Sequence, residues 1–296
     1  MHSESYMMYR YFIKLAYNGR AYNGWQIQPN AVSVQQTVEN GLAAVTGVRC
    51  SVTGCGRTDS GVHAAVFYAH FDSEEAYSPD TLQHFSFRLN RFLPEDILIE
   101  EIKPVLPGAH ARYSALWREY EYLIIRQKDP FRYSCAFHQH GDLDTDLMNK
   151  CASLLVGRQN FESFSKVHTQ VNNFNCEILT ANWETDGHLL KFTIRADRFL
   201  RNMVRAIVGT LLDAGRGKLT TDEFQVIINS HSRSKAGYSV PARGLTLTGV
   251  GYPDGIFSEK AQRFLPECGK KIISHYYADS EFHQCSGNEA NEGPDC

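Results

Sequence analysis

The chain has 296 residues, of which 43% are hydrophobic, 12% aromatic and 21% charged, a balance that excludes collagen, coiled coil and wholesale disorder. At roughly 100–200 residues per domain the length suggests two structural lobes, each with a core of its own, and no stretch approaches the ~18 uninterrupted apolar residues of a spanning helix. The net charge of −3 argues at first sight against a polyanionic partner, but Asp279, Glu281, Glu289, Glu292 and Asp295 fall in a final segment without Lys or Arg, so residues 1–278 carry +2. The remainder is mildly basic, which leaves room for a local basic groove.

The start, Met1-His2-Ser3-Glu4-Ser5, lacks a basic segment followed by an apolar run, so the mature chain is expected to be the translated chain. The eight cysteines include no C-x-x-C pair and no His spaced to complete a zinc site. They read as free thiols of a reducing cytosol rather than as a disulfide framework.

Tyr9 to Tyr17 alternates strictly, the period of a half-buried strand with Phe12 on its outer side, and Asn18-Gly19 stops it. Ser33-Val34-Gln35-Gln36 has the form of a capping box, and Val34, Val38, Leu42 and Val45 follow at helical spacing. An extended run at Arg49–Thr53, a Gly-rich turn and a second extended run at Val62–Phe71 come next. Ser78-Pro79 opens a helix that is expected to bury Leu82, Phe85, Leu89 and Phe92. Strands at Ile97–Ile102 and Tyr120–Arg126 complete the first half.

The second half repeats the alternation without detectable identity. Asp144–Val156 reads as a helix facing inward with Leu147, Cys151, Leu154 and Leu155, and ended by Gly157. Strands Ile178–Glu184 and Leu189–Ala196 are joined by Asp186-Gly187, a hairpin signal. Leu200, Met203, Val204, Ile207, Val208, Leu211 and Leu212 then give the strongest helical period of the chain. A short helix at Phe224–Ile228 and a strand at Leu245–Tyr252 follow, and the polar tail after about Asp279 reads as disordered. The expected class is α+β with α/β-like alternation in two similar lobes. The expected boundaries are an N-terminal extension 1–8, lobes 9–126 and 127–256, and a C-terminal extension 257–296.

Chemistry concentrates in Gly54–Ala64, where three glycines frame Arg57-Thr58-Asp59. A surface turn with a local ion pair explains this as well as a site does. The segment is neither a Walker loop nor a dinucleotide fingerprint, because no Gly-Lys-Ser/Thr follows and it exits into a strand. Arg198, Arg201 and Arg205 fall at i, i+3 and i+7 of the long helical pattern, a stripe that itself contains no acidic partner. It is either a solvated face or cations awaiting a phosphate or a buried carboxylate. Tyr120 and Tyr122 share one side of their strand, as core aromatics or as a stacking platform for a base. His63, His110 and His168 are isolated and read as structural histidines, so metal catalysis has little support. Composition and spacing leave a Gly-framed Asp, a few arginines and aromatics, without a reaction class.

Gly56-Arg57-Thr58-Asp59-Ser60-Gly61-Val62-His63-Ala64 closely resembles the G-R-T-D-A-G-V-H-A signature of the tRNA pseudouridine synthase A (TruA-type) family. Further segments agree in order: Tyr17-Asn18-Gly19, Gly24-Trp25-Gln26-Ile27-Gln28, Ser33-Val34-Gln35, Leu93-Pro94-Glu95-Asp96-Ile97 and His110-Ala111-Arg112-Tyr113-Ser114-Ala115. So do Phe199-Leu200-Arg201-Asn202-Met203-Val204-Arg205 and Pro241-Ala242-Arg243-Gly244-Leu245. The resemblance implies a two-lobed synthase fold, each lobe ferredoxin-like, with a catalytic cleft between them. It implies a cytoplasmic homodimer that isomerises uridine to pseudouridine in the anticodon stem-loop of tRNA, at tRNA positions 38, 39 and 40, without metal or organic cofactor.

Carried over position by position, the resemblance makes Asp59 the essential carboxylate and Arg205 the arginine that pairs with it, holding it ionised and oriented. Tyr120, in Arg118-Glu119-Tyr120-Glu121-Tyr122, would stack on the target base, Leu245 would pack on its opposite face, and Arg57 would hold the flipped-out nucleotide. Arg198 and Arg201 become a phosphate track. The sequence departs from the pattern at Asn18, Ser60, Asn160 and Asn175-Cys176, the last two bearing on substrate choice more than on chemistry. Three rivals remain: a non-catalytic tRNA-binding or tRNA-folding protein on the same scaffold, a related synthase acting on another RNA, and a nucleoside hydrolase. The last lacks a second carboxylate placed to activate water.

Overall fold

The computed structural model of the protein describes residues 8–167 and 173–257. His168 and the acidic tail lie outside the described residues. The chain forms β1 (Tyr9–Tyr17), α1 (Val34–Thr46), β2 (Thr53–Gly54), β3 (His63–Ser73), α2 (Pro79–Phe92) and β4 (Ile97–Pro104). It continues with β5 (Trp117–Ile125), β6 (Phe137–His138), α3 (Thr145–Ser153), β7 (Gly157–Asn160), β8 (Asn175–Asp186) and β9 (Leu189–Ala196). Helices α4 (Met203–Gly215) and α5 (Thr221–Asn229) and strand β10 (Leu245–Gly251) close it.

Local chemistry sets most of these limits. Ser33 Oγ accepts from the Gln36 N–H to start α1, and Gly47 ends it in the left-handed region. Ser78 caps α2 with Pro79 in its first turn, and Thr220 and Glu223 form a reciprocal capping box on α5. Four expectations are corrected. Phe92 is 55% exposed, because Leu93 takes the inward position four residues after Leu89. Of the extended run at Arg49–Thr53 only Thr53 lies in a strand, the two-residue β2. Helix α3 stops at Ser153, and Gly157 opens β7 instead of capping the helix. Phe12 is buried among Tyr68, His70, Tyr252 and Phe257, so β1 is covered on both faces over that stretch.

The strands join in one sheet of order β4-β1-β3-β10-β5-β9-β8-β7. All its pairings are antiparallel except β3–β10 and the short β5–β6 contact. One core packs β1, β3, β4, α1 and α2, and the other packs β5, β8, β9, α3, α4 and α5. Strand β5, expected to end the first lobe, lies between β10 and β9, with Tyr122 and Ile124 buried in the second core. The last strand, β10, pairs in parallel with β3 at Thr246–His63 and Leu247–Ala64. The short β2 pairs further along the same strand, at Thr53–His70 and Gly54–Ala69. Tyr120 packs against both cores, so the junction β3–β10–β5 is where the two halves meet.

Candidate active site

The segment between β2 and β3 is glycine-rich yet fastened at almost every residue. The Cys55 N–H donates to Tyr68 O at 2.7 Å, the Trp25 N–H to Thr58 O at 3.3 Å and the Gly61 N–H to Tyr22 O at 3.2 Å. Tyr17 Oη and Thr58 Oγ1 share a buried hydrogen bond of 2.9 Å. The Val62 N–H closes a turn on Asp59 O at 3.1 Å, with Gly61 at φ +78°. Gly24 lets the neighbouring segment approach, since a Cβ there would stand 2.3 Å from Thr58 O. The backbone around Asp59 is therefore held while its carboxylate stays partly open, at 24% side-chain exposure.

Two arginines converge on that carboxylate. Arg205 Nη1 lies 3.6 Å from Asp59 Oδ2 and Arg201 Nε 3.8 Å from Asp59 Oδ1, ion-pair distances rather than tight hydrogen bonds. Arg205 is the anchored one, 20% exposed against 60% for Arg201, and its Nε donates to Val240 O at 2.7 Å. The arginine stripe is corrected in one respect. Helix α4 begins only at Met203, after Asn202 at φ +65°, so Arg198 and Arg201 precede the helix and Arg205 alone rides on it. Of the two partners the sequence left open for these cations, a carboxylate is present: Asp59, contributed by the other half of the chain, faces Arg201 and Arg205.

The remaining expected residues fall at different depths. Tyr120 sits on β5 opposite Leu247 and Ile194, with its ring edge-on to Phe199 at 5.1 Å. Burial, with smaller contributions from Cys55 and Asp59, raises its phenol pKa, so the hydroxyl stays a donor. Leu245 is 6% exposed, paired with Tyr122, and grouped with Val62 in the second core. Arg57 is exposed and makes no ion pair among the described residues. Arg198 is not brought to Asp59: its N–H donates to Asp197 Oδ1 at 2.6 Å and its charge neighbours Cys176. Tyr122 is buried and donates to Pro241 O at 2.9 Å, a core role.

Arg118, not singled out in the sequence for a role, braces the site. Its guanidinium donates to the carbonyls of Ala115 and Asp197 at 3.0 Å, of Cys55 at 3.0 Å, and of Arg112. One side chain thus ties the Asp59 loop to the segment that carries Arg201. The available signal was a strand arginine beside two tyrosines. His63 is structural: its Nδ1 accepts from the Gly19 N–H at 3.1 Å, so Nε2 carries the proton and donates to Arg243 O at 3.1 Å. Burial lowers its pKa. Among the described residues no group of three His, Cys, Asp or Glu side chains could hold a metal ion.

A family model described as tRNA pseudouridine synthase matches residues 151–253. The tRNA pseudouridine synthase A of Parabacteroides distasonis is 49% identical over 250 residues, covering 84% of this chain and 98% of that protein. The chain belongs to the tRNA pseudouridine synthase A family. Its counterpart in Bacteroides fragilis is 48% identical over 84% of this chain and 98% of that one. The Bacteroides thetaiotaomicron protein is 46% identical over 89% and 100%.

Within the family pattern, the departures are structurally mild. Asn18 Oδ1 accepts from the Arg20 N–H at 3.1 Å, and Asn160 Oδ1 from the Glu162 N–H at 2.8 Å, bonds an aspartate would also accept. Ser60 Oγ adds a bond to Tyr22 O at 3.3 Å. Asn175-Cys176 pairs with Asn160 and Gln159 across β7–β8.

Proposed function

We propose that this protein is a tRNA pseudouridine synthase, isomerising uridine to pseudouridine in tRNA. The observation that carries the reading is the carboxylate of Asp59, on a braced loop, facing Arg205 and Arg201 from the other half of the chain. Family membership supplies the reaction class. In that reaction the C1′–N1 bond breaks, the uracil turns in place and C5 bonds to C1′. N1 gains a proton and C5 loses one, so there is no redox change and no group is released. A single carboxylate suffices, acting as nucleophile at C1′ or as base toward the ribose. Arg205, fixed by Val240 O, orients that carboxylate and balances its charge.

The finer reading places the target uridines in the anticodon stem-loop, at tRNA positions 38, 39 and 40, in the cytoplasm and with a homodimeric enzyme. Tyr120 stacks on the uracil, Leu245 lies below it and Arg57 holds the displaced nucleotide. With β6, β7 and α5 as additions to the second half, each half follows a β-α-β-β-α-β course with strand order fourth-first-third-second: β4-β1-β3-β2 and β10-β5-β9-β8. This supports two ferredoxin-like lobes, with a cleft at the shared β3–β10 edge.

Incubation with unmodified tRNA, followed by mapping of pseudouridine, tests the reading. Wild type is expected to convert anticodon stem-loop uridines, and Asp59→Asn to bind tRNA without converting it. Absence of product with wild type, or full activity in Asp59→Asn, would overturn the catalytic reading. Released uracil would indicate a hydrolase.

A further inference from the structure

Beside the Asp59 loop lies a second cluster that the reaction does not use. Arg20, in the 3-10 turn after β1, donates through Nη2 to Tyr133 Oη at 2.9 Å, and its guanidinium lies 5.2 Å from the Tyr133 ring centre. Arg243, in the 3-10 turn before β10, approaches the same ring at 5.9 Å. Both guanidinium groups lack a carboxylate partner among the described residues, and the buried Arg243 Nε has no hydrogen-bond partner. The acid nearest in sequence, Asp129, is taken by Arg132 at 3.6 Å and by the Phe131 N–H at 2.9 Å. Tyr133 is 52% exposed and Phe131 92%.

The cluster is fixed relative to the active carboxylate. His63, four residues after Asp59, accepts from the Gly19 N–H on the Arg20 side and donates to the Arg243 carbonyl. The backbone of Ser134, next to Tyr133, lies within reach of the same imidazole. Unpaired guanidinium groups around an exposed ring match a nucleotide: phosphate oxygens take the cations and the base takes the ring face. A self-contact between two copies is less favoured, because it would bring surfaces of the same positive sign together.

We propose that Arg20, Tyr133 and Arg243 form a second RNA subsite, which grips a nucleotide flanking the reacting uridine through its phosphate and its base. This rests on the RNA-modifying reading above. The subsite acts on binding and registration of the strand and leaves the chemical step to Asp59.

Binding of an unmodified tRNA transcript, followed by fluorescence anisotropy across a salt series, tests it. Tyr133→Leu is expected to weaken binding about tenfold, while Tyr133→Phe, which keeps the ring, stays within about twofold of wild type. Arg20→Ala is expected to reduce the slope of log affinity against log salt by about 0.7–0.9. Unchanged affinity and slope in Tyr133→Leu and Arg20→Ala would overturn the subsite. So would dissociation of an oligomer by Tyr133→Leu or Phe131→Ser in sedimentation, with tRNA affinity per protomer kept. The readout is binding, so a wild type that forms no pseudouridine would sink the proposed reaction while these variants still decide the subsite.

Discussion

At the residue scale the site depends on Asp59 meeting charges from the opposite half of the chain. Arg205 is mostly enclosed and hydrogen-bonded to Val240 O, whereas Arg201 is 60% exposed, and solvent screens an exposed pair heavily. Arg205→Ala is therefore expected to lower kcat at least about tenfold more than Arg201→Ala, as read by single-turnover kinetics. Arg118 touches neither Asp59 nor its arginines, yet its donors reach Cys55 O, Arg112 O, Ala115 O and Asp197 O. Arg118→Met is expected to lower kcat by roughly 10²-fold with KM for tRNA within about threefold, since a loosened loop misplaces the carboxylate. Arg118→Lys is not expected to rescue it, because an ammonium group cannot span four acceptors. Equal losses in kcat and in thermal stability for both variants would reduce Arg118 to a general structural role. The meeting of Asp59 with Arg205 was legible from motif resemblance. Arg118 was not, because its partners are carbonyls, and carbonyls leave no mark in a sequence.

At the scale of elements the caps and turns were readable where a side chain acts on its own backbone. Ser33 and Ser78 start helices by bonding amides three residues on, whereas Thr220, which caps α5 in the same way, was not singled out, and α5 begins at Thr221 rather than at the expected Phe224. The start of α4 misled because Leu200 and Met203 share a helical period although both are buried for a different reason: Leu200 sits in the bend before Asn202. That bend turns Arg201 toward Asp59. The loop from Cys55 to Val62 depends on a close approach at Gly24, where a Cβ would meet Thr58 O at 2.3 Å and φ is +85°. Gly24→Ala is expected to destabilise the fold by about 2–4 kcal/mol, measured by denaturant unfolding, and to impair turnover in the surviving folded fraction. Wild-type stability in that variant would show that the approach can relax.

At the scale of the whole molecule, the two cores share one sheet because β10 pairs with β3 at His63 and Ala64, on the edge where β2 pairs only at Ala69 and His70. The first core carries a pH liability away from the site. His70 is buried against Phe12 and beside His110, 4.7 Å between ring centres, and its Nδ1 accepts from the Ala111 N–H. Burial, with Arg10 and His110 adding to it and Asp72 opposing it, lowers its pKa to about 4 from the ordinary 6.5. The unfolded chain binds this proton more readily than the folded one, so stability falls as pH drops from 6.5 toward 4 and this contribution levels off below. The loss is expected to be of the order of 2 kcal/mol, less than the full shift implies because the ring keeps some solvent contact. His70→Gln should flatten this part of the curve of melting temperature against pH, and an unchanged curve would assign the effect to other groups.

The order of the longer elements, the caps at Ser33 and Ser78, the hairpin at Asp186-Gly187 and the chemistry-bearing loop at Asp59 follow from the sequence, because each is written in side chains acting over a few residues, whereas the short β6 and β7 were not expected. Which strands become neighbours was decided only in three dimensions, since pairing energy depends on edges that distant segments leave open. Arg205 and Arg201 come to a carboxylate that lies more than 140 residues before them in the chain. No local pattern encodes that meeting.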